Sequence, residues 1–84
     1  MSPPQPQARP PTTAQVLEAS LRQDLRDGHW RAAVRRLYML EHCDRERALK
    51  LRHDVEVFAK RLLPREEERL RTNARAWAAQ VALG

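Results

Sequence analysis

Apolar residues recur along most of this chain at intervals of three and four, the period of an α-helix buried on one side. Between Thr12 and Gly28 the repeat is Ala14, Leu17, Leu21 and Leu25. From His29 onward Trp30, Ala33, Val34, Leu37 and Leu40 share a face. After Asp44 come Ala48, Leu51, Val55, Phe58 and Leu62, a 3-4-3-4 spacing of the coiled-coil type. Leu70, Ala74, Trp77 and Val81 close the series. The punctuation agrees with this division. Thr12 and Gln15 have capping-box spacing, and Gly28 accepts the left-handed conformation that ends a helix. Asp27 and Asp44 are candidate caps for the helices that follow them. Pro64 fits a first helical position and no interior one. Glu66, Glu67 and Glu68 then fall in a first turn, where the helix dipole favours carboxylates. The expected elements are helices over about 13–27, 29–42, 44–62 and 64–82. With connections this short, neighbouring helices fold back on each other. The fold class expected is all-α, a small three- or four-helix bundle over residues 12–84.

Residues 1–11, MSPPQPQARPP, hold five of the six prolines and no apolar period. Such a composition predicts a disordered, partly polyproline II arm. Pro3 and Pro6 have the PxxP spacing of an SH3-type ligand, a pattern common by chance in Pro-rich tails. The segment has neither the apolar core of a secretory signal nor the arginine content of a mitochondrial presequence, and a cytoplasmic location is expected. No run of apolar residues is long enough to span a membrane. A strand-based fold is disfavoured, because Ile is absent and Ala, Leu, Arg and Glu dominate. Of the 84 residues, alanine supplies twelve of the apolar ones, so the core is small for a chain that must stand alone.

Candidate chemistry changes little. Cys43 stands beside His42, but adjacent helical residues point about 100° apart, which places the imidazole badly as its base. A buried or half-buried structural cysteine is the simpler expectation. His29, His42, Cys43 and His53 lack the paired spacing of zinc ligands, and two glycines cannot build a phosphate-binding loop. No catalytic residue, metal site or cofactor is expected, and the chain is read as non-enzymatic.

The formal charge of +5 comes from 16 Lys+Arg against 11 Asp+Glu, and it calls for a nucleic-acid test. The excess is dispersed over the N-terminal arm and all the segments beyond residue 28 instead of gathering in one. The second helix carries the best phosphate-facing stripe, Arg31, Arg35 and Arg36. Helices two and three have helix-turn-helix order, but the third opens on Asp44 and Glu46, which suits a DNA groove badly. Trp30 and Tyr38 among these arginines also match an interfacial membrane helix, although Trp30 sits where a bundle core wants it.

Apolar positions left over after one face is buried say more. Met39 falls opposite Trp30 and Leu37, and Leu49, His53 and Val57 form a separate i, i+4, i+8 row. Such residues either contact further neighbours in the bundle or form an exposed strip for self-association or a partner helix. Arg35, Arg36, Glu46 and Lys50 border the strip and would set orientation. The run Gly28-His29-Trp30-Arg31-Ala32-Ala33-Val34, followed by Leu37, resembles the second half of a tetratricopeptide hairpin. The resemblance covers about residues 17–40, and the first helix departs from it at Ser20 and Asp24. What it implies is a helical hairpin that binds protein. The expected function is therefore a small protein–protein interaction module, an adaptor, assembly factor or regulatory inhibitor. Its partner would be another protein or a second copy, bound through Arg31, Arg35, Arg36, Met39, Leu49, His53 and Val57. The alternative is a nucleic-acid-binding regulator using the arginines of the second helix.

Overall fold

The computed structural model describes residues 9–83. Residues 1–8, which contain the Pro3–Pro6 spacing and most of the expected arm, lie outside the described residues, as does Gly84. Over the described residues the fold is an all-α bundle of four helices: α1 (Thr13–Asp27), α2 (Trp30–Cys43), α3 (Arg45–Ala59) and α4 (Pro64–Leu83).

Local signals set the boundaries. Thr12 caps α1 in a capping box: its hydroxyl accepts from the Gln15 N–H at 3.1 Å, and the Gln15 side chain accepts from the Thr12 N–H at 2.8 Å. Gly28 ends α1 at φ 76. The Gly28 N–H reaches the Leu25 carbonyl at 3.4 Å and the His29 N–H reaches that of Asp24 at 2.8 Å, which makes a Schellman turn. Asp27 does not cap α2 as expected. Its carboxylate accepts from Gln23 at 2.9 Å, and the cap position falls to His29, whose side chain makes no capping bond. Asp44 does cap α3, accepting from the Arg47 N–H at 3.1 Å.

α3 stops at Ala59, three residues short of the expected Leu62. The chain tightens there into i→i+3 bonds, Arg61 to Phe58 at 3.0 Å and Leu62 to Ala59 at 3.1 Å. Leu63 precedes a proline and is biased away from helical backbone. Leu62 is nonetheless buried, delivered inward by the turn.

α2 occupies the centre, and α1, α3 and α4 each pack on it. Five of its residues are buried, Ala33, Val34, Leu37, Tyr38 and Leu40. α1 adds Leu17 and Leu21, α3 adds Ala48, Leu51 and Val55, and α4 adds Ala74. Trp30 stacks on Phe58 with ring centres 6.3 Å apart, fastening α2 to α3. α2 and α4 run in the same direction: Arg31 pairs with Glu66 at 3.2 Å near both starts, and Met39 and Trp77 line one groove further along. α4 is six residues longer than α2. Val81, expected on the buried face of α4, is 48% exposed.

Among the described residues one charged residue is buried. Asp24 is buried on α1, and its carboxylate accepts from the Arg36 guanidinium of α2. Its backbone carbonyl already closes the Schellman turn, so Asp24 holds the α1–α2 hairpin at two points. Removing the Asp24 carboxylate takes the partner from a guanidinium that is itself only partly exposed. Asp24→Ala is expected to lower unfolding stability by about 1–3 kcal/mol in urea titrations. Asp24→Leu combined with Arg36→Met should recover most of that loss, because an apolar pair has no charge to desolvate.

Candidate interaction surface on the third helix

α3 turns one side to α2 and the other to solvent. Ala48, Leu51 and Val55 are buried beneath it, with Phe58 and Ala59 packed at the edge of the core. On the outward side Leu49 is 60% exposed and Val57 59% exposed, with the exposed His53 between them. Glu46, Lys50, Glu56 and Lys60 surround this row and are also exposed. Among the described residues, none of these four charges enters an ion pair. Apolar groups on two sides make α3 the least amphipathic of the four helices.

The flanks of α3 are occupied by internal contacts. On the α1 side the Arg47 guanidinium donates to Glu18 and, at 3.3 Å, to Asp44. This hydrogen bond holds the Glu18 carboxyl below its usual range, with further help from Arg22. Asp44 is also held low, first by the Arg47 backbone N–H and then by its side chain. On the α4 side a groove lies between Arg45, Leu49 and Arg52 of α3 and Arg71 of α4, with Glu41 of α2 on its floor. Arg71 stacks over Tyr38 at 4.1 Å and pairs with Glu67 at 3.3 Å and Glu41 at 3.9 Å. Burial pushes the Tyr38 hydroxyl above its ordinary value.

The residues singled out from the sequence fall in three places. Arg31 and Arg36 belong to the scaffold. Arg31 pairs with Glu66 and lies 4.4 Å over the Trp30 ring, and Arg36 pairs with Asp24. Arg35 and Met39 line a second groove, between α2 and α4, with Asn73 and Trp77. Met39 is partly buried there and packs against the core. Leu49, His53 and Val57 alone form a continuous exposed row. Sequence reasoning passed over Glu56 and Lys60, which extend the charged border of that row. Their signal was the same wheel position that identified Leu49 and Val57.

Cys43, expected to be at least half buried, is exposed. Partial desolvation of the thiol and the neighbouring Asp44 carboxylate push its pKa up, which lowers its thiolate fraction at neutral pH. No three His, Cys, Asp or Glu side chains converge into a metal-holding group among the described residues, and no described helix is long and apolar enough to cross a membrane.

Compared with protein-family models, with curated proteins and with solved structures, the chain matches none. The tetratricopeptide resemblance thus rests on the Gly28 turn and the residues that follow it.

Glu18 and Asp44 give the surface a pH dependence. Both carboxyls sit below their unfolded values, near 4.3 and 3.9. The stability they contribute is fully present above those values and is lost as the pH falls through the lower native ones. Melting temperature should hold steady from neutral pH to about pH 5 and decline below it. In Glu18→Gln/Asp44→Asn, which keeps a capping side chain at 44, the acid decline should be shallower by a few degrees.

Proposed function

We propose that this chain is a non-enzymatic helical module that binds protein through the outward face of α3. The observation that carries the reading is the row Leu49, His53 and Val57. It is apolar at both ends, over half exposed at Leu49 and Val57, and framed by charges with no partner among the described residues. Apolar side chains exposed singly are ordinary, whereas an ordered row with a polar rim is the anatomy of an interface. α3 is also well held for the task, because its opposite side is fixed to α2 by Leu51, Val55 and the Phe58–Trp30 stack. A rigid helix presenting anchors at i, i+4 and i+8 loses little conformational freedom on binding.

The nucleic-acid reading loses support by the same reasoning. It relied on the arginines of the second helix, and Arg31 and Arg36 are engaged with Glu66 and Asp24. The finer roles, adaptor, assembly factor or inhibitor, all rest on the same surface and are proposed only as forms of protein binding.

A photo-crosslinking side chain installed at position 53, in cells producing the protein, should yield adducts with polypeptide. Leu49→Glu/Val57→Glu should abolish the adducts while its melting temperature stays within a few degrees of wild type. Adducts with nucleic acid alone, or unfolding of the double variant, would refute the reading.

A further inference from the structure

Along α3 the exposed charges are arranged antisymmetrically about His53. Glu46 stands seven residues before it, and Lys60, the cap residue just beyond Ala59 with helical backbone angles, seven after. Lys50 stands three before and Glu56 three after, and Arg52 and Asp54 flank it directly. The apolar residues follow the same centre, with Leu49 four before and Val57 four after. A two-fold axis through His53, perpendicular to the helix, brings each residue level with its mirror position on a second, antiparallel α3. Every one of those charged levels then sets an acid against a base, and each occurs twice, as an isologous interface requires. Leu49 falls level with Val57 of the other copy.

From this self-complementarity we propose that the occupant of the α3 face is a second copy of the same chain, docked antiparallel with His53 on the axis. The proposal rests on the protein-binding reading above and adds the partner and its register. Glu46, Leu49, Lys50, His53, Glu56, Val57 and Lys60 follow one another at steps that keep them on one side of the helix, the seam of an antiparallel helix pair. All are exposed, and the four charged ones are unpaired among the described residues, so docking breaks no internal ion pair there. In the opposite, parallel alignment Glu46 would meet Glu46 and Lys50 would meet Lys50, and like charges penalise it. The antisymmetry stops at Arg45, level with Arg61. Arg61 lies past the end of α3, with its guanidinium 5.6 Å over the Phe58 ring of its own chain. The seam is short beside the roughly 20–30 residues a side of a standard interface, so the association is weak and reversible, in the micromolar range or above.

Sedimentation velocity of the full chain across the micromolar range should show a concentration-dependent monomer–dimer equilibrium. Lys50→Glu, which sets a carboxylate at position 50 against Glu56 twice, should weaken it by about tenfold or more. Glu56→Lys should do the same, and the double swap should restore it. All three changes are at exposed positions, and circular dichroism checks that each remains folded. Independently, His53→Cys in a Cys43→Ser background puts a thiol on the axis, where it meets its own copy. It should form an intermolecular disulfide on mild oxidation, and Arg69→Cys, an exposed position on α4, should not in the same background. A wild-type chain that stays monomeric throughout, a double swap no tighter than the single variants, or equal crosslinking from positions 53 and 69 would overturn the arrangement. A monomer that still crosslinks at position 53 to a different protein would overturn it while leaving the protein-binding reading intact.

Discussion

Packing on α2 is the constraint from which the rest follows. Ala33, Val34, Leu37, Tyr38 and Leu40 are buried around more of its circumference than one helix face can supply. α1, α3 and α4 each bury their own apolar stripe against it and have little to do with one another beyond ion pairs such as Arg47–Glu18. A helix that packs mainly on a single neighbour keeps an unburied side. For α1 and α4 that side is largely polar, but for α3 it carries Leu49 and Val57. The candidate surface is thus a product of the architecture: with α2 at the centre, α3 lies on the outside.

Charge works differently at the two levels of this structure. Within the bundle, arginines are fasteners. Arg36 closes the α1–α2 hairpin on Asp24, Arg31 ties α2 to Glu66, Arg47 links α3 to α1, and Arg71 bridges Tyr38, Glu67 and Glu41. On the outward side of α3 Glu46, Lys50, Glu56 and Lys60 enter no ion pair among the described residues, and what distinguishes them is their order. Exposed pairs contribute little to stability individually. In the proposed dimer their effect would be on which neighbour, in which direction, can approach.

The helices were readable from the sequence because their determinants are local. The Thr12–Gln15 box, the Gly28 turn, the Asp44 cap and Pro64 each act within a few residues, and each appears where it was expected. Features that depend on distant partners were not readable. Asp24 looked like a departure from a packing pattern until the Gly28 turn brought Arg36 across from the next helix. Tyr38 was not among the residues of the one apolar face expected for the second helix, because a single-face wheel does not anticipate a helix covered on three sides. Val81 follows the period of α4, and it is exposed because α4 outruns α2. The Leu49–His53–Val57 row was legible as an anomaly. Whether another helix covered it could only be known once α3 was seen to pack mainly on α2.

The two tryptophans stand on different seams of the molecule. Trp30 is stacked against Phe58 where α2 meets α3, and Trp77 lines the groove between α4 and α2 together with Met39. Intrinsic fluorescence therefore has two separately addressable channels. With Trp77 replaced by phenylalanine the emission reports detachment of α3, and with Trp30 replaced it reports detachment of α4. The bundle carries its own optical labels for asking which of its outer helices lets go first.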